Sequence, residues 1–125
     1  MTLYNLTLID NDLGEQFNIG YFSTREIADA TARDYLKNVR GFCEYNCGCS
    51  ITEKEAVGSK APVDVFIVFG WNGYESDIVE SDLYATEALA RRRLAEMKSE
   101  YDREEWCVDR FRVDARKWQE GFVRV

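Results

Sequence analysis

The sequence predicts an α+β fold in two layers, made of duplicated strand-strand-helix-strand halves that set two helices against an antiparallel sheet. Three observations carry this prediction. Residues 3–39 lie on residues 65–101 at a constant offset of 62 without a gap; both stretches pass from strand-like alternation to helical spacing; and a threonine marks each change. Under the shift Leu3, Tyr4 and Leu6 meet Val65, Phe66 and Val68, while Phe17, Tyr21 and Phe22 meet Val79, Leu83 and Tyr84. Thr24 then meets Thr86, and Ala28, Ala32 and Tyr35 meet Ala90, Leu94 and Met97. These positions build a core, so the repeat speaks for a fold and not for an activity. Two copies at this period read as a doubled half-domain, and the chain is expected to be one domain of two pseudo-symmetric halves, 1–57 and 63–125.

The elements follow in order. Leu3 to Ile9 alternates as a strand, Asn11-Asp12-Leu13-Gly14 turns, and Gln16 to Phe22 returns to close a hairpin. Thr24 offers its hydroxyl to the open amides of a helix start, Glu26 sits in the favourable first turn, and Ala28, Ala32, Tyr35 and Val39 form one helical face. Gly41 ends that helix. Ser50 to Ala56 reads as a third strand, polar enough for a sheet edge, and Val57 to Pro62 is a linker. Val63 to Trp71 is apolar on both faces and belongs in the middle of the sheet. Asn72-Gly73 is a favoured type I′ hairpin pair, after which Ser76 to Tyr84 returns. Thr86 caps a second helix whose apolar face is Leu89, Ala90, Leu94, Met97 and Tyr101, with Glu87/Arg91 and Arg92/Glu96 as opposite charges four apart. Trp106 to Ala115 is the last strand, and the aromatics of Trp118 to Val123 are placed to cover a core edge.

The closing stretch carries a resemblance. Val65-Phe66-Ile67-Val68, Leu83-Tyr84-Ala85-Thr86-Glu87 and the run Asp114-Ala115-Arg116-Lys117-Trp118-Gln119-Glu120-Gly121-Phe122 resemble a family of short bacterial proteins of unknown function. Its members finish in Asp-x-x-x-Trp-x-Glu-Gly-Phe, which is matched here in full. They usually carry two serines where this chain has Ala85-Thr86. The resemblance covers residues 63–125, so the first half looks like a diverged copy placed ahead of it. It implies a fold and carries no catalytic residue or substrate; some such proteins look like neighbours of toxin-immunity genes.

Composition narrows the function. At 125 residues with 46% hydrophobic content the chain can bury a core. Sixteen basic against 23 acidic residues leave a net charge of −7, which disfavours direct nucleic-acid binding and suits a basic protein partner. No stretch has the length of a membrane-spanning helix, and Met1-Thr2-Leu3-Tyr4 lacks a secretion signal's basic start and apolar run. A cytoplasmic protein with its cysteines as thiols is expected.

There is no histidine, which removes the commonest general base and the Ser-His and Cys-His pairs. Gly70-Trp71-Asn72-Gly73 lacks the lysine of a phosphate loop, Arg91-Arg92-Arg93 shares its helix with Glu87, Glu96 and Glu100, and Glu75, Asp77, Glu80 and Asp82 read as a solvated strand face. The expectation is therefore no enzyme and no cofactor. Cys43, Cys47 and Cys49, with Cys107 as a fourth thiol, have the ligand type for zinc but lack paired Cys-x-x-Cys knuckles.

Trp71 and Tyr74 flank the hairpin tip, with Glu75 and Asp77 beside them. They serve either as a partner-binding anchor or as a cross-strand pair steadying their own hairpin. The reading taken is a protein-binding module, immunity-like or a regulatory inhibitor, with homodimerisation through a sheet edge expected. A small-ligand or zinc-binding module using the cysteine loop, and an acidic mimic of nucleic acid that inhibits a DNA-handling enzyme, stand as alternatives.

Overall fold

Alternation and capping act locally, so the two helices begin where a hydroxyl can take the first free amides. In the structure, a computed structural model that describes residues 1–74 and 76–124, α1 runs Arg25–Asn38 and α2 runs Glu87–Glu100. Thr24 Oγ1 accepts from Ile27 N at 3.2 Å, and Thr86 Oγ1 from Leu89 N at 3.3 Å. Both helices close alike: Val39 N donates to Tyr35 O, and Tyr101 N to Met97 O. The described strands are β1 Thr2–Asp10, β2 Gln16–Phe22, β3 Cys47–Val57, β4 Asp64–Asn72, β5 Ser76–Glu80, β6 Leu83–Tyr84 and β7 Glu105–Arg112. The class is α+β. Among the described residues no helix is long and apolar enough to cross a membrane.

Starts of β1 and β4, and of α1 and α2, lie 62 residues apart, and strand register repeats at the same shift. Tyr4 faces Phe22 as Phe66 faces Tyr84, Thr7 faces Asn18 as Phe69 faces Glu80, and Leu8 faces Phe17 as Gly70 faces Val79. The expected all-antiparallel sheet is corrected: the end of β3 runs parallel to β6, with Ala56 beside Leu83 and Val57 beside Tyr84. The end of β3 is also no edge, because Val57 O accepts from Ala85 N while Ala56 N donates to Met1 O. Its exposed, polar residues face solvent from within the pairing.

The chain groups into two compact units, one of residues 2–54 with 113–125 and one of Met1 with 55–112. In the first, α1 packs on β1 and β2 over a core of Leu6, Leu8, Phe17, Ile19, Phe22, Ala28, Ala32, Tyr35 and Phe42. Residues 114–117 lie beside β2. Asp114 N donates to Tyr21 O and Lys117 N to Ile19 O, at 2.9 and 2.8 Å. The Asp114 carboxylate accepts from Ser23 N and Ser23 Oγ at 2.7 Å each, just ahead of the α1 cap. Phe122 stacks on Phe17 at 4.8 Å and meets Phe42 edge-on at 5.1 Å. Gly121, at φ 74°, passes so close to the Arg40 carbonyl that no Cβ fits. The closing motif is thus committed to covering this core.

In the second unit β4 is central, with β7 on one side and β5 and β6 on the other. One β4 face, through Phe66 and Val68, packs with Ala90, Leu94 and Met97 of α2. Trp106 lies across Gly70 on that face, where a Cβ would come within 2.6 Å of the indole. Three local expectations change. The return strand breaks at Ser81 and Asp82, β7 stops at Arg112, and Glu96 pairs with Arg93 at 3.0 Å in place of Arg92. The Glu87–Arg91 pair is present at 3.6 Å.

Candidate functional site

Side chains alternate across a strand, so the β4 residues that turn away from α2 are Val65, Ile67, Phe69 and Trp71. Pairing with β7 sets Phe111, Asp109, Cys107 and Glu105 directly opposite them, on the same face. On the other side Glu80 of β5 faces Phe69. At one end of this face Val65, Ile67 and Phe111 are buried. Towards the hairpin tip the burial ends, and Phe69, Trp71, Ile78, Glu80, Cys107 and Asp109 line a hollow of about 310 Å³. Phe69 and Trp71 are half-buried there, and Ile78 keeps 55% of its surface exposed. An apolar floor bordered by carboxylates can seat an apolar or aromatic group that carries a positive charge.

At the offset of 62, the positions in the first half that correspond to Phe69, Trp71, Ile78 and Glu80 hold Thr7, Ile9, Gln16 and Asn18. In the first unit three of these four are polar, and Asn5 Nδ2 donates to Asn18 Oδ1 at 2.9 Å while Asn18 Nδ2 donates to the Tyr21 hydroxyl at 3.4 Å. The first half has hydrogen-bonded amides on the face where the second has aromatic rings.

Of the residues singled out at the tip, Trp71 lines the hollow, while Tyr74 stands wholly exposed at φ 43°. Asp77 lies on β5 at φ 49°, its carbonyl accepting from Arg103 Nε; Glu75 lies outside the described residues. The turn is displaced from Asn72-Gly73. Asn72 stays in β4, its Oδ1 accepting from Glu104 N and its carbonyl from Ser76 Oγ, and the positive φ falls on Tyr74. Sequence reasoning misses Phe69, Ile78 and Asp109, takes Glu80 as a solvated strand face and Cys107 as a fourth thiol for zinc, and gathers none of them with Trp71. The available signal is the alternation of Phe69 with Trp71 and the unlike residues 62 positions earlier.

Cys43 and Cys49 are exposed, and Cys47 and Cys107 are half-buried. Burial pushes the Cys47 thiol up, aided by the nearby Asp10 charge. Cys107 sits on β7, in a different unit from the other three. Among the described residues no three cysteine, aspartate or glutamate side chains are gathered as a metal site. Comparison of the chain with protein-family models, curated proteins and solved structures gives no match.

Proposed function

We propose that this chain is a non-enzymatic binding protein that docks a basic protein partner on the face of Phe69, Trp71, Ile78 and Cys107. The observation that carries the reading is the aromatic hollow bordered by Glu80 and Asp109, at positions where the other half is polar or aliphatic. Trp and Phe offer large contact area at small loss of rotamer freedom, and the acids favour a cationic surface over a polyanion. The net charge of −7 adds long-range attraction of the same sign preference. An immunity-like or inhibitory role fits this chemistry, since blocking a basic target needs complementarity and no reaction.

We also read the shared 62-residue offset, in residues and in strand register, as a doubled half-unit in which one copy took up binding. Native capture from lysate tests the docking face. The Trp71→Ala, Ile78→Ala chain is expected to keep its circular dichroism and lose the partner held by the unaltered chain. Equal capture by both chains would defeat the reading.

A further inference from the structure

We propose that the hollow receives one arginine side chain of the basic partner. This rests on the docking face argued above and names its anchor. The hollow's volume of about 310 Å³ suits a single long side chain and not an element of structure. Its floor is the Trp71 indole and Phe69 ring, and the same face bears the carboxylates of Asp109 and Glu105, both exposed. A planar guanidinium stacks on an indole and donates two parallel hydrogen bonds to a carboxylate, whereas an ammonium is compact and more strongly hydrated. The methylenes of the arginine stem would rest on Ile78 and Phe69.

The molecule already uses this constellation on itself. Arg124 places its guanidinium carbon 4.1 Å from the centroid of the Tyr45 ring while it pairs with Asp10 and Asp12. Trp71 with Asp109 and Glu105 supplies the same kinds of group, a ring and two carboxylates. The first-half positions that correspond to Phe69, Trp71 and Ile78, namely Thr7, Ile9 and Gln16, supply neither ring nor charge. Polyanionic ligands are opposed by the same acids.

The test uses the full chain and a short capped peptide with a central arginine between leucines, its citrulline analogue and its lysine analogue. The readout is the indole N–H resonance of Trp71, assigned among the three tryptophans with Trp71→Phe. The arginine peptide should shift this resonance saturably and leave the other two in place. The citrulline peptide should not shift it, and the lysine peptide should bind about fivefold more weakly. Asp109→Asn with Glu105→Gln should weaken the arginine peptide by about fivefold to tenfold, with the spectrum otherwise that of a folded chain. Equal response to arginine and citrulline, or no response to arginine, would overturn the assignment. Should that failure accompany lost partner capture by the Trp71→Ala, Ile78→Ala chain, the docking face stands and only its arginine anchor falls.

Discussion

Asp10 shows how a single residue ties the C-terminal segment to the first core. Its side chain is fully buried, accepts from the amides of Asp12 and Leu13 at 3.0 and 3.4 Å, and pairs with Arg124. Burial pushes the carboxyl up, but the Arg124 guanidinium and the two amides outweigh it and hold the group below its ordinary 3.8. Asp34 is lowered too, by the Asn38 amide and by Arg116, whose guanidinium lies 2.7 Å away. Both cations sit on the segment that follows β7. A carboxyl whose folded value is depressed contributes stability in full above its unfolded value and loses it as pH falls through the folded one. Acid should therefore loosen this segment before it loosens α2. Protection of the Phe122 amide, which donates to Arg40 O, is expected to fall as the pH drops below 3.8. Hydrogen exchange at matched intrinsic rates measures it; parallel loss at Phe122 and Met97 would contradict the assignment.

Among the elements, the break between β5 and β6 matches the β-bulge of the first hairpin. There the register shifts between Leu6 and Thr7, so Ile19 is the extra residue and turns into the core. The residue 62 positions on is Ser81, and its hydroxyl does the work of a strand neighbour. Ser81 Oγ accepts from Val68 N at 2.8 Å while Ser81 N donates to Val68 O. Ser81→Ala should leave that amide without its partner and cost about 1–3 kcal/mol, with faster exchange at Val68 as the local readout. A midpoint unchanged in denaturant would show that water replaces the hydroxyl. Such a bond is not visible in a sequence, which is why the sequence predicts a single strand over 76–84. The capped helices and the first hairpin were legible because their signals are local and periodic. Trp71 is picked out with Tyr74 as an aromatic of the hairpin tip, but its gathering with Ile78, Cys107 and Asp109 depends on the register of three strands. The displaced turn has a similar origin, since Asn72 is engaged by Glu104 and Ser76 from outside the dipeptide.

At the scale of the whole molecule, the chain's last segment serves the unit built from its first residues. No local pattern announces that destination, because an aromatic-rich tail fits any open core and any free strand edge equally well. Here it occupies the edge of β2 through Asp114 and Lys117, sets Trp118 and Phe122 on Phe17, and takes the Tyr35 hydroxyl on the Lys117 carbonyl at 2.7 Å. Removing it uncovers apolar rings and an unpaired strand edge together, the combination that promotes intermolecular pairing. A chain ending at Arg112 should therefore lose exchange protection in β2 and α1 and tend to associate, while β4, β7 and α2 keep theirs, as expected where parts of a structure open as separate cooperative units. Adding a peptide of residues 113–125 in trans should restore protection at Ile19 and Tyr21. A peptide carrying Gly121→Ala should restore it less well, at a cost of about 1–3 kcal/mol, because a side chain at that positive φ meets the Arg40 carbonyl. If α1 stays fully protected in the shortened chain, the tail is an ornament on a self-sufficient core. If all strands and both helices lose protection at once, the two units open as a single one.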